Sequence, residues 1–141
     1  MAVKLILPKL SYKVVGVCMK VHNELGSSLL EKYYQRAIEK ELGDTGLSFK
    51  REVPVEIRYK QKSIGRYFID FVIGNKVVLE LKAQKKYAPQ FSKQVLAYLR
   101  QLDFPLGIIV NFRDESLSPH RVINSRWSGF DDSNKLEKKL E

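Results

Sequence analysis

The sequence predicts an α/β domain in which two helices precede three strands, a third helix and a further strand. Apolar residues between Val14 and Leu25 recur at helical spacing. The segment 49–60 instead alternates apolar and charged residues, as a half-buried strand does. A third observation is the wholly apolar segment 105–112, which is typical of a strand at the centre of a sheet.

The first two elements are helices separated by Gly26, which stops the first of them. The first is predicted to cover residues 14–25 and the second about 29–42. Ser27 or Ser28 can cap the second helix. Its apolar residues recur on one face, so that face is expected to pack on the sheet.

The remaining elements follow from the same two periodicities. They are strands at 49–60, 63–74 and 76–83, a helix at about 89–102, the apolar strand at 105–112 and a short strand at 120–124. Pro54 indicates that the strand at 49–60 lies at an edge or starts irregularly. We expect residues 1–125 to form one domain and residues 126–141 to form a partly solvated C-terminal tail.

The composition points to a basic protein with an anionic partner. The 25 Lys and Arg residues outnumber the 16 Asp and Glu residues and give a net charge of +9. Nucleic acid is the first candidate partner and an anionic membrane surface the second, although a basic protein without either explains the same charge. Cys18 is the only cysteine, so neither an intrachain disulfide nor a cysteine-based metal site is possible. With no stretch of about 18 apolar residues, a cytoplasmic protein without a membrane partner is expected.

The hairpin at 63–83 determines where its charged residues lie. A two-residue loop would pair Ile73 with Lys76 and would mix apolar and charged residues on each face. A three-residue loop, 74–76, pairs Ile73 with Val77 instead. One face then becomes wholly apolar: Ile69, Phe71, Ile73, Val77, Leu79 and Leu81. Because burial fixes register, the three-residue loop is predicted.

This register brings two acids together on the other face. Asp70 is predicted to lie opposite Glu80, with Cβ atoms about 4.5–5.5 Å apart, where like charges are destabilising. Lys82 can neutralise one carboxylate, and a divalent cation such as Mg²⁺ can neutralise the other. Glu31, on the second helix, is placed to reach the same site. A salt bridge from Lys82 to Asp70 or Glu80 that merely fixes the hairpin explains the same residues.

These residues resemble the signature of the PDDEXK nuclease superfamily, an Asp on one strand and Glu-x-Lys on the next. Here they are Asp70 and Glu80-Leu81-Lys82, with Ile69 in place of the usual Pro. The helix that follows carries QVLAY (94–98), which is similar to the QxxxY motif of one branch of the superfamily. Without that motif, the sequence would indicate that Gln94 is a surface glutamine and that Tyr98 is a core tyrosine.

More narrowly, the segment VHNELGSSLLEKYY resembles the GxxExxY family, a PDDEXK-like group. The Glu and Tyr of that motif are Glu31 and Tyr34, whereas Ser28 replaces the Gly and Gly26 is kept. The resemblance extends from about residue 14 to residue 112. His22 lies within this segment. It either contributes to a metal site or bonds to backbone at a helix end.

The resemblance implies a fold and an activity. The fold is a restriction-endonuclease-like core, a mixed central sheet flanked by helices in the order α-α-β-β-β-α-β. The activity is Mg²⁺- or Mn²⁺-dependent hydrolysis of nucleic acid, with DNA the favoured substrate. The implied site residues are Asp70 and Glu80 as metal ligands, Glu31 as a further or water-mediated ligand, and Lys82 and Gln94 as catalytic groups.

Nucleic-acid contacts are expected around this site. The residues predicted to make these contacts are Tyr34 and Tyr98 together with the basic residues Lys85, Lys86, Lys93 and Arg100. A solvated helix face explains the same lysines. A homodimer would suit cleavage of both strands of a duplex. The alternatives to a nuclease are a non-catalytic nucleic-acid-binding or adaptor protein on this fold, and a structural basic protein with a salt-bridged hairpin.

Overall fold

A computed structural model describes residues 7–131 and contains a five-stranded mixed sheet flanked by helices. The elements are α1 (Pro8–Leu25), α2 (Glu31–Thr45), β1 (Phe49–Tyr59), β2 (Lys62–Ile73), β3 (Val77–Lys82), α3 (Pro89–Leu102), β4 (Leu106–Asn111), β5 (His120–Ile123) and a 3₁₀ helix (Ser128–Asp131). The predicted order is confirmed, and β5 is the short strand expected near residues 120–124. Most of the predicted C-terminal tail, residues 132–141, lies outside the described residues.

The strands are arranged in the order β1-β2-β3-β4-β5. Only β3 and β4 are parallel, and α3 is the crossover that parallel neighbours require. Strand β1 lies at one edge, as Pro54 indicated. Every residue of β4 is buried, which confirms that the apolar segment is an interior strand. The sheet is therefore the mixed central sheet that the sequence predicted.

The helix boundaries differ from the prediction at two places. Helix α1 begins at Pro8 rather than Val14, because a proline at the first helical position loses no hydrogen bond. The predicted serine cap of α2 is wrong: Leu30 occupies that position, without a side-chain cap.

The helices have 18, 15 and 14 residues, and none within the described range 7–131 has the length and apolarity to cross a membrane.

The three-residue hairpin loop is confirmed, since Ile73 pairs with Val77 and Phe71 with Leu79. The wholly apolar face is wrong at one position. Phe71 packs with α1 and α2, whereas Ile69 packs with α3 on the other side of the sheet. In a regular strand, residues two positions apart, such as Ile69 and Phe71, lie on the same face of the sheet. The alternation therefore breaks at the residue between them, Asp70.

The core has two parts, one on each side of the sheet. The larger part packs α1 and α2 against β2, β3 and β4, and the smaller part packs α3 against the other face. Gly107 of β4 permits the close approach of α3. A Cβ atom there would lie 2.4 Å from Cγ1 of Val95, which is shorter than a van der Waals contact. Both faces of the central strands are thus covered by helices.

Candidate active site

The candidate site lies where β2 and β3 diverge. Their backbone pairing comprises three residue pairs and ends at Phe71 and Leu79. Beyond that point, carboxylates replace backbone acceptors. The Asp70 N–H donates to Glu80 Oε1 at 3.0 Å, and the Leu81 N–H donates to Asp70 Oδ2 at 2.8 Å. Each acid is therefore held by the backbone of the opposite strand, and the two carboxyl groups lie side by side.

Burial and mutual repulsion disfavour two negative charges at this point. Glu80 is 6% exposed, and burial together with the Asp70 charge raises its pKa to about 8. Burial also raises the pKa of Asp70, although the Leu81 N–H and Lys82 act in the opposite direction. The pair therefore holds a proton more tightly than two separate carboxyl groups would.

Glu31 reaches the acid pair through a side chain that sequence reasoning missed. The Gln35 amide Nε2 donates to Asp70 Oδ1 at 3.1 Å and to Glu31 Oε1 at 3.3 Å. Burial and the Asp70 charge raise the pKa of Glu31, and Lys82 lowers it. A signal was present in the sequence, since Gln35 follows Glu31 by four residues and shares its helical face.

Lys82 lies beside all three acids without forming a close ion pair. Its Nζ sits 4.5 Å from the centroid of the Phe91 ring. Its charge lowers the pKa of Asp70, Glu80 and Glu31. Within residues 7–131, no ion pair of 4.0 Å or less joins Lys82 to an acid. The salt-bridged hairpin that the sequence also allowed is therefore not what the structure shows.

The chain after Lys82 is fixed to β4 by a second missed residue. The Asn111 side chain accepts from the Gln84 N–H at 3.0 Å and donates to the Gln84 carbonyl at 2.7 Å. The Phe112 N–H donates to the Lys82 carbonyl at 2.8 Å. A fully buried asparagine at the end of an apolar strand must find such partners, which was the signal in the sequence.

Gln94 and Tyr98 lie one helical turn apart on α3 and line the same cleft. Tyr98 is only 5% exposed, as the interpretation as a core tyrosine predicted, and burial and the Glu80 charge raise its pKa. Within the part of the chain described, the Gln94 side chain forms no hydrogen bond, either to Lys82 or to another residue. A nucleic-acid contact by Tyr98 stays a prediction.

Two residues of the motif segment belong to the core. Tyr34 was predicted to contact nucleic acid, and this is wrong because its side chain is fully buried. Its ring stacks on Phe112 at 4.5 Å, and its hydroxyl donates to the Gly26 carbonyl at 2.6 Å. Nε2 of His22 lies 2.7 Å from the Asp114 carbonyl oxygen, which confirms the backbone-bonded interpretation of this histidine.

The predicted basic contacts are all accessible. Lys85 and Lys86 lie in the loop between β3 and α3, and Lys93 and Arg100 lie on α3. All four are exposed. Their position beside the end of β3 is compatible with a nucleic-acid backbone, and the contact itself stays a prediction.

The donor set at this site fits a divalent cation of the magnesium type. In the described residues, no three or more His, Cys, Asp or Glu side chains form a group that could hold a metal. The sequence predicted that Glu31 reaches the metal site itself. The structure instead links Glu31 to the site through Gln35, and Glu31 does not form a cluster of three carboxylates with Asp70 and Glu80. The two remaining acids, Asp70 and Glu80, match Mg²⁺, which uses one or two carboxylates plus water and phosphate oxygens.

Fold and site together define an α/β protein with a carboxylate pair and a lysine where two central strands diverge. The model of the PD-(D/E)XK nuclease superfamily matches residues 8–122. The chain belongs to this superfamily, and the membership indicates a nuclease-type function. No significant match was found among curated proteins or among solved structures.

Proposed function

We propose that the chain is a Mg²⁺- or Mn²⁺-dependent phosphodiesterase that hydrolyses nucleic acid, with DNA the favoured substrate. One observation carries the proposal: the Asp70 and Glu80 carboxyl groups are held together at the diverging strands, with Lys82 beside them. A buried Glu80 beside a half-buried Asp70, both with raised pKa values, is a costly arrangement for stability alone. A divalent cation removes that cost, and the superfamily uses the same residue pattern for hydrolysis.

The proposed roles follow from the chemistry of each side chain. Asp70 and Glu80 hold the cation, which when bound lowers the pKa of water and stabilises charge on phosphate. Lys82 donates hydrogen bonds to the attacking water and to the developing negative charge. Glu31 acts through Gln35, which orients Asp70. Gln94 is proposed to orient the attacking water.

We further propose that the chain is a member of the GxxExxY family. Glu31 and Tyr34 support this assignment, since the first is linked to the acid pair and the second closes the turn at Gly26. A cytoplasmic location is proposed as well. It is supported by the lone Cys18, which is buried and cannot form an intrachain disulfide. We also propose that the chain forms a homodimer.

The alternative is a non-catalytic nucleic-acid-binding or adaptor protein. It is favoured by one observation, the lack of a three-residue metal-holding group within residues 7–131. The two functions differ in whether phosphodiester bonds are cut, so they are separable by experiment.

The test is cleavage of single- and double-stranded DNA and RNA in Mg²⁺, Mn²⁺ or EDTA. We expect cleavage in either metal and none in EDTA. Asp70→Asn is expected to abolish cleavage, because it removes one of two cation ligands. Asp44→Asn, at an exposed carboxylate near the end of α2, is the matched control and is expected to cut like wild type. If folded wild-type protein cuts none of these substrates and neither metal stabilises it, the nuclease is excluded and the non-catalytic adaptor protein is the function that fits.

A further inference from the structure

A cleft of about 470 Å³ lies between α3 and the β1–β2 hairpin. This volume falls within the range of about 300–1,000 Å³ that is common for ligand sites. Its walls are formed mainly by apolar and aromatic side chains: Val55, Ile57, Tyr67, Ala97 and Tyr98. Lys93, Gln94, Arg58 and Gln101 add polar groups at the same cleft. Of the residues at this cleft, only Lys93, Gln94 and Tyr98 were predicted from the sequence to take part in function.

The hairpin that forms one wall extends beyond the rest of the sheet. Strand β2 pairs with β1 from Lys62 onward, but with β3 only from Phe71. A hydrogen bond of 2.7 Å from the Gln101 side chain to the Glu56 carbonyl ties the hairpin to α3. The cleft is therefore a built feature with two fixed walls.

Tyr67 is the feature of this cleft that the fold does not explain. It is an aromatic residue that is 46% exposed, and its ring centroid lies 5.8 Å from that of Tyr98, which is buried. The arrangement leaves part of a flat aromatic surface open to the cleft. Exposed aromatic surface of this kind is what nucleobases stack on in proteins that bind single strands.

The cleft also adjoins the acid pair. Tyr67 precedes Asp70 by three residues on the same strand. Tyr98, its ring partner, is close enough to Glu80 and Asp70 for both charges to raise its pKa. Lys93 is exposed beside the cleft and supplies a positive charge where a phosphate would pass. Arg58 is less available, because it pairs with Glu56 at 2.7 Å.

We propose that this cleft binds one unpaired nucleobase of a single-stranded nucleic acid, stacked on Tyr67, next to the acid pair. The proposal rests on the proposed function and names its substrate class. In a duplex the faces of a base are covered by its neighbours, so a cleft with an aromatic wall selects single strands or bases extruded from a helix. Lys93 contacts the adjoining phosphate.

The test is binding rather than cleavage, so that it is independent of the proposed activity. A short single-stranded DNA with one 2-aminopurine is titrated with the full-length protein in EDTA. Stacking on Tyr67 is expected to quench the 2-aminopurine fluorescence. Tyr67→Ala is expected to lose this quenching and to weaken binding about fivefold or more. Tyr67→Phe retains the ring and should match wild type.

Tyr12→Ala is the matched control, since Tyr12 is an 82% exposed tyrosine on α1. Thermal unfolding of each variant checks that Tyr67→Ala is folded. Equal binding by folded Tyr67→Ala and wild type would overturn the inference, as would tighter binding of the matching duplex or no binding of the single strand. The expected binding results, combined with no cleavage by wild type in either metal, would instead count against the proposed function alone.

Discussion

At the scale of single residues, the site is a pair of acids held side by side, and burial raises the pKa of both. The Asp70 and Glu80 carboxyl groups are bound by N–H groups of the opposite strand, so they cannot separate without breaking those hydrogen bonds. Glu80 has an ordinary pKa of 4.5 and a pKa of about 8 in the folded protein. The folded protein therefore binds more protons than the unfolded chain across that range, which makes its stability depend on pH.

The first prediction is that, in EDTA, the free energy of unfolding falls as pH rises from 4.5 to about 8. A raised carboxyl pKa gives stability that is fully present below the ordinary value and is lost as pH passes the folded value. The expected loss is a few kcal/mol, at about 1.4 kcal/mol per pKa unit. Urea unfolding across this range measures it.

Glu80→Gln is the variant that isolates the effect, because an amide of the same shape does not titrate. Its free energy of unfolding should change less with pH than that of wild type, and Mg²⁺ should flatten the wild-type profile by displacing the proton from Glu80. An identical pH profile for variant and wild type would mean that Glu80 does not carry this linkage.

The second prediction concerns Gln35, which bridges Asp70 and Glu31. Gln35→Ala should reduce the apparent Mg²⁺ affinity in the cleavage assay by about tenfold, because the side chain that orients a metal ligand is lost. Saturating Mg²⁺ should restore most of the rate. Lys40→Ala, at an exposed position on the same helix, is the control. A lower rate that no Mg²⁺ concentration restores would assign Gln35 a role other than orienting Asp70.

At the scale of elements, the α1–α2 turn shows how a motif residue can be structural. Gly26 has a φ of 76°, a left-handed conformation that favours glycine. The Tyr34 hydroxyl bonds the Gly26 carbonyl and also accepts the Leu29 N–H at 3.2 Å. The turn then places Glu31 at the first position of α2, facing the acid pair. Tyr34 thus serves the site by holding the turn and not by touching nucleic acid.

The third prediction is that Tyr34→Phe destabilises the fold by about 1–2 kcal/mol, since two backbone groups lose their partner while the ring stays stacked on Phe112. Nucleic-acid binding should not change. Tyr33→Phe, at the neighbouring tyrosine that is 42% exposed, should leave stability within about 0.5 kcal/mol of wild type. Chemical denaturation and a binding titration measure both. Unchanged stability combined with weakened binding would reverse the assignment of Tyr34.

At the scale of the whole molecule, the features that depend on periodicity and burial could be predicted from the sequence. The element order and the register of the β2–β3 hairpin depend on apolar alternation, which is local. The side of the sheet on which Ile69 lies was missed, because it depends on the irregularity at Asp70. That irregularity reflects carboxylates competing for backbone N–H groups. The Gln35 bridge was missed although Gln35 shares a helical face with Glu31, because a neutral amide does not mark a metal site as a charged residue does.

The net charge of +9 also acts at this scale. The fourth prediction is that nucleic-acid binding weakens steeply with salt, because Lys and Arg contacts release counterions. Replacing Lys85 and Lys86 by alanine should lower the slope of log Kd against log salt by about 2, one for each phosphate that is no longer neutralised. Titrations at several salt concentrations measure this slope. A slope equal to that of wild type would place these two lysines outside the nucleic-acid-binding surface.

The most direct test of the proposed site is a comparison of cleavage rate and binding affinity in Lys82→Ala. We predict that the rate falls about 100-fold or more, because the lysine stabilises charge during reaction, while the Kd for nucleic acid stays close to that of wild type. Lys13→Ala, at an exposed lysine of α1, controls for the loss of one charge. A folded Lys82→Ala protein that cuts at the wild-type rate would contradict the assignment of this site.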